Sequence, residues 1–123
     1  MNEILQQLVT MSRNLGRPER ELVILGEGNT SALNPDGTFW VKASGYQLPT
    51  ITADGFVRVS LERALAILRE DALTDEEIKA RLLDARVDPE TGRWPAPNTS
   101  IRPSTETVFH ALCLSLDDVA FVG

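Results

Sequence analysis

Apolar residues at Ile4, Leu8, Met11 and Leu15 recur at intervals of four, three and four, which places them on one face of a helix over residues 4–15. Gly16 follows as the expected stop. A short apolar run at 22–25 leads into Gly26-Glu27-Gly28-Asn29-Thr30-Ser31. Two strand-like segments come next, over 30–33 and 38–42. Between them Asn34-Pro35-Asp36-Gly37 carries the Asp-Gly pair of a tight hairpin.

The second half predicts a strand over 56–60, where the alternation of apolar and polar residues is only partial, and a helix over 61–69. Thr74 and Glu77 form a capping-box pair: the hydroxyl can accept from the N3 amide while the carboxylate reaches back to the cap, so a helix is expected from Asp75 to about Ala85. Charges between 61 and 93 are dense and of mixed sign, the pattern of a solvated helical face and not of a binding patch. Pro89, Pro95, Pro97 and Pro103 bracket the polar segment 88–102, which neither a helix nor a central strand could hold, so it reads as a long ordered loop. Ser104 then stands as the N-cap of a helix that carries Glu106 in its first turn and Val108, Ala111, Leu112 and Leu114 as apolar positions. The run Val119-Ala120-Phe121-Val122 has the composition of a buried strand, and the chain ends at Gly123 as if just before a site. No internal repeat or flexible linker interrupts the pattern.

A chain of 123 residues is one domain or part of one, and 42% hydrophobic with 24% charged residues supports a packed core. The formal charge of −6 weighs against nucleic acid as a partner, because duplex binding needs clustered Lys and Arg to displace counterions. No apolar run approaches the roughly 18 residues that span a bilayer. The N-terminus, MNEILQQL, lacks the basic stretch and apolar core of a signal peptide, so no membrane association and a cytoplasmic location are expected. Cys113 is the one cysteine, which excludes an internal disulfide, and its apolar surroundings make it a buried packing residue. His110 is the one histidine; it lies four residues after Glu106 on the same helical face and reads as packed or hydrogen-bonded.

Three short segments combine small residues, backbone donors and hydroxyls: 26–31, Lys42-Ala43-Ser44-Gly45, and Arg102-Pro103-Ser104-Thr105-Glu106. Glycines let backbone N–H groups approach an anion, hydroxyls add donors, and a helix N-terminus adds partial positive charge. Together they would hold a phosphate or sugar phosphate. Gly26-Glu27-Gly28 lacks the third glycine of a dinucleotide fingerprint and no GxxxxGK[ST] is present, so Rossmann and P-loop readings are set aside. Glu106 can be read as a favourable charge at a helix start, as a general base, or as a metal ligand.

The order and spacing of Ser12-Arg13-Asn14-Leu15-Gly16, Gly28-Asn29-Thr30-Ser31, Val41-Lys42-Ala43-Ser44-Gly45 and Pro103-Ser104-Thr105-Glu106 with His110 resemble the N-terminal portion of the class II aldolase/adducin family. Residues 42–48, Gly55-Phe56-Val57 and 73–77 are most similar to rhamnulose-1-phosphate aldolase domains fused to dehydrogenases, and the chain also resembles fuculose-phosphate aldolases. The resemblance covers nearly all of residues 1–123 as the N-terminal portion of a single domain. It implies an α/β fold, a three-layer α/β/α sandwich around a mainly antiparallel sheet, incomplete at the C-terminus. It also implies metal-dependent aldol cleavage or condensation of a ketose 1-phosphate. Gly28, Asn29, Ser44, Gly45, Ser104 and Thr105 would hold the phosphate, and Glu106 would serve as acid/base and as a metal ligand when substrate is absent.

The resemblance further implies a divalent metal, zinc, and a homo-tetramer. Its His-x-His pair and later third histidine are absent from these 123 residues, so tight zinc binding and activity are not expected of this chain alone. A non-catalytic adducin-like binding or assembly module is the alternative reading.

Overall fold

The computed structural model describes residues 3–15, 30–70, 72–96, 102–104, 106–116 and 119–122. Helix α1 (Glu3–Leu15) is followed by the hairpin of β1 (Ser31–Leu33) and β2 (Thr38–Lys42), then by two 3-10 turns, Leu48–Thr50 and Ala53–Gly55. Next come β3 (Phe56–Ser60), α2 (Leu61–Leu68), α3 (Asp75–Asp84), α4 (Thr107–Leu114) and β4 (Phe121–Val122). Gly16 and the run at 22–25 lie outside the described residues.

The strands form one antiparallel sheet in the order β3-β2-β1-β4. The Asp-Gly hairpin closes as its sequence predicts. Asn34 N donates to Thr38 O at 2.8 Å, and Asp36 Oδ1 accepts from the amide and hydroxyl of Thr38 at 3.1 and 2.6 Å. Gly37 takes φ +84°, a left-handed conformation that glycine adopts without the Cβ clash of other residues.

Successive strand residues point to opposite faces, and here both faces are covered. Trp40, Ala32 and Phe56 face α1 and pack on Leu5, Leu8 and Val9. Phe39, Val41, Val57 and Val59 face the other way, onto Ala64 of α2 and Ala111 and Leu114 of α4. The result is the expected three-layer α/β/α arrangement. Two-sided burial also explains the imperfect alternation of β3, since both parity sets are buried and Arg58 alone breaks the apolar run.

β3 passes directly into α2, whose cap is Ser60 accepting from Arg63 N at 3.3 Å. The Thr74–Glu77 capping box is present, and Ile78 and Leu82 of α3, one turn apart, turn toward Ile67 and Val108. Within the segment expected as a long loop, residues 88–96 are ordered by tight turns: Asp88 N donates to Arg93 O and Gly92 N to Asp88 O, each at 2.8 Å.

Three expectations change at the C-terminal end. Leu112 is exposed, because Phe109, Leu112 and Leu116 share the outward stripe of α4 and its continuation while Val108, Ala111 and Leu114 hold the inward one. Cys113, between these stripes, is half-buried and not fully enclosed. The run at 119–122 forms only a two-residue strand beside β1, and Phe121 is exposed, since among the described residues β1 is its sole strand neighbour.

Candidate functional site

β2 ends at Lys42 and the chain turns at once through Ser44 and Gly45. Ala43 pairs in an isolated antiparallel bridge with Pro103, and Ser44 N donates to Arg102 O at 2.8 Å. This short ladder joins two of the three hydroxyl-bearing segments, although 58 to 60 positions separate them in sequence. Gly45 carries φ +90°, which tightens the turn beside Ser44. From beneath, the Lys42 ammonium donates to Tyr46 O at 2.6 Å and Ala43 O at 3.2 Å, so the side chain fastens the loop from inside.

The segment 102–104 leads into α4, with Thr107 N donating to Ser104 O at 3.0 Å. The N-cap, however, is Glu106 and not Ser104. Glu106 already has helical backbone angles, and its carbonyl accepts from Phe109 N and His110 N, while its side chain makes no capping bond. Ser104 stands two residues earlier, directly after Pro103, which bridges to Ala43, and its carbonyl accepts from Thr107 N. The Glu106 carboxylate is exposed and makes no bond to the helix start.

Ser44, Ser104 and Glu106 therefore line one cleft of about 290 Å³, together with Arg102, Pro103 and two residues of α3, Lys79 and Leu83. Among the described residues Glu106 is the one acidic residue that lines it. Two further groups feel the Glu106 charge. Burial pushes the His110 imidazole below its ordinary pKa, and Glu106 pulls it partly back. Burial likewise depresses the Lys42 ammonium, with Glu106 opposing. His110 is buried as expected and hydrogen-bonds through Nδ1 to Ser31 Oγ of β1 at 2.5 Å.

Of the residues assigned from sequence, Ser44, Ser104 and Glu106 come together, Gly45 shapes the turn next to Ser44 without lining the cleft, and Gly28, Asn29 and Thr105 lie outside the described residues. Thr30, just after Asn29, is fully buried and its Oγ1 meets Ser12 Oγ at 2.6 Å, tying α1 to the start of β1. The sequence placed Lys42 and Arg102 in phosphate-holding segments without a role for either side chain, and gave Lys79 no place at all. A signal existed for Lys42, the one charge at the end of the apolar strand Phe39-Trp40-Val41. No comparable signal marked Lys79, which sits in a charge-rich helix.

The family model described as "Class II Aldolase and Adducin N-terminal domain" matches residues 6–122, and the chain belongs to that family. It is 31% identical over 114 residues to the uncharacterized oxidoreductase YuxG of Bacillus subtilis (strain 168), an alignment covering 86% of this chain and 15% of that protein. Among solved structures, the N-terminal class II aldolase domain of a conserved protein from Thermoplasma acidophilum superposes with a TM-score of 0.74 at 29% identity, over 98% of this chain and 54% of that one. L-fuculose 1-phosphate aldolase shares the fold, with a TM-score of 0.59 at 15% identity, over 98% of this chain and 42% of the other. The chain thus spans about half the length of these solved relatives and a smaller part of the curated one.

Class II aldolases generally depend on a divalent metal. Among the described residues no group of three or more His, Cys, Asp or Glu is placed to share an ion. Glu106 offers one ligand where a catalytic zinc needs about three from the protein, so the described residues do not by themselves make a metal centre. Also among the described residues, no helix is long and apolar enough to cross a membrane.

Proposed function

We propose that this chain supplies the phosphate-binding loops and the acid/base carboxylate of a class II aldolase that cleaves or forms a C–C bond in a ketose 1-phosphate. The observation that carries the reading is the meeting of Ser44, Ser104 and Glu106 around one cleft, with the Glu106 side chain unengaged at the cap of α4. Hydroxyls and turn amides are donors suited to a phosphate monoester, and the N-terminal end of α4 adds partial positive charge. A carboxylate beside them has the reach to take a proton from the hydroxyl-bearing carbon next to a ketone and to return it in the opposite direction.

Gly28, Asn29, Gly45 and Thr105 complete the phosphate-binding set in this proposal. The divalent ion is proposed to be zinc, with its remaining ligands coming from outside the described residues, and the working protein is proposed to be a cytoplasmic homo-oligomer. The name of the Bacillus relative fits an aldolase portion joined to an oxidoreductase portion.

The test is aldol cleavage of ketose 1-phosphates by the longest natural protein containing these residues, with added zinc, beside its Glu106→Gln variant. Cleavage that falls by about 10²-fold or more in the variant is expected, the scale of losing a positioned acid/base group. Absence of cleavage in a protein that holds the additional histidines, or cleavage indifferent to Glu106, overturns the reading.

A further inference from the structure

Most described cations are engaged within the fold. Arg58 pairs with Asp36, Arg81 with Glu70, Arg63 stacks over the Trp94 ring, Arg13 and Arg86 donate to carbonyls, and Lys42 is buried on the turn after β2. Lys79 and Arg102 are different: neither side chain has a hydrogen bond or ion pair among the described residues, and both line the cleft of Ser44, Ser104 and Glu106. Arg69 and Arg93 also lack such partners, but they do not border that cleft.

The placement of Lys79 follows from the helix it sits on. Ile78 and Leu82 fasten α3 to α2 and α4. A rotation of about 100° per residue then brings Lys79 and Leu83, again four apart, to the neighbouring stripe, which is the cleft wall. Arg102 comes from a separate segment, the one before α4, held by its carbonyl's bond from Ser44 N. In a chain of net charge −6, the described residues of this cleft set two cations without partners against one carboxylate, a local exception in sign. Such an arrangement favours a dianion over a neutral sugar.

We infer that Lys79 of α3 and Arg102 form a cationic clamp for the phosphate monoester of the substrate, so that α3 sets the preference for phosphorylated over unphosphorylated ketoses. The inference rests on the sugar-phosphate reading above and extends it to the side chains of Lys79, which lies outside the segments that carry the resemblance, and Arg102, which borders one of them. Arg102 offers a planar fork of donors to phosphate oxygens, and Lys79 a mobile point charge.

The experiment is an NMR titration of the isotope-labelled chain with dihydroxyacetone phosphate and, separately, with unphosphorylated dihydroxyacetone. Lys79→Met and Arg102→Met are each expected to weaken the phosphate ester about three- to fivefold, the scale of an exposed charge pair, with Lys79→Arg restoring most of the affinity. Binding of the neutral compound should not change, and affinity for the ester should fall more steeply with added salt in the wild type than in the double variant.

Unchanged ester affinity in both Met variants, while Ser104→Ala still weakens it, overturns the clamp and leaves the sugar-phosphate reading standing. An equal loss for the neutral compound also overturns the clamp, since the effect is then structural and not electrostatic. Failure of the wild type to bind the ester, or indifference of binding to both Ser44→Ala and Ser104→Ala, removes the sugar-phosphate reading itself.

Discussion

Ser31 Oγ and His110 Nδ1 lie 2.5 Å apart, both residues buried, joining β1 to α4 across 79 positions of sequence. The bond fixes the first turn of α4 against the sheet, and Glu106 sits at the start of that turn. Ser31→Ala leaves a buried ring nitrogen without this partner and is expected to destabilise the fold by about 1–3 kcal/mol. Urea unfolding monitored by circular dichroism measures the loss.

His110 also makes stability depend on pH. Its folded pKa lies below the ordinary 6.5 because burial disfavours the imidazolium, so the unfolded chain takes up its proton first as the solution is acidified. The contribution is therefore fully present above 6.5 and is lost as pH falls through that value toward the folded pKa. His110 is the one histidine, so a stability slope between about pH 7.5 and 5.5 that flattens in His110→Gln is expected.

The Glu106 charge favours the protonated form of His110. Glu106→Gln should accordingly lower the imidazole pKa further, which an NMR titration of the ring protons reads directly. A rise, or no movement, would contradict the placement of this carboxylate near α4 and β2.

Away from the cleft, Arg58 holds the 88–96 turn to the hairpin. Its guanidinium meets Asp36 Oδ2 at 2.6 Å, Thr38 Oγ1 at 2.9 Å and Pro89 O at 3.0 Å, and lies over the Trp40 ring at 5.4 Å. Arg58→Met is expected to cost about 2–3 kcal/mol, less than breaking a fully buried pair because Asp36 remains partly solvated. Burial opposes ionisation of Asp36, but Thr38 and Arg58 outweigh it and hold the carboxyl below its ordinary 3.8. That stabilisation is present above 3.8 and lost as pH falls below it, so acid unfolding of Asp36→Asn should show a shallower slope there.

At Gly45 nothing stands within 4 Å of where a Cβ would be, so the cost of a side chain there is confined to the backbone at φ +90°. Gly45→Ala should destabilise by about 1–2 kcal/mol and, by relaxing the turn, weaken binding of dihydroxyacetone phosphate alongside it. Thermal unfolding and the same NMR titration separate the two effects.

Elements whose cause is local were legible in the chain. The Asp36-Gly37 hairpin, the strands at 38–42 and 56–60, the Thr74–Glu77 capping box and the helix over 4–15 depend on residues within a few positions of one another, and each occurs as read, although α1 buries Leu5, Leu8 and Val9 most deeply and Ile4 and Met11 only partly. The motif residues Ser44, Ser104 and Glu106 were legible too, through their order along the chain. What the sequence by itself could not determine is every feature set by contact between distant segments. The bridge from Ala43 to Pro103 brings the segment before α4 beside the turn after β2, and the cap of α4 falls at Glu106, two residues after the Ser104 expected from sequence. Both sheet faces had to be covered before β3 made sense as a strand with weak alternation. Lys79 acquired a role only when Ile78 and Leu82 set the rotation of α3 against its neighbours. Side-chain direction on a helix is decided by which stripe finds a partner, and that partner exists only in the folded molecule.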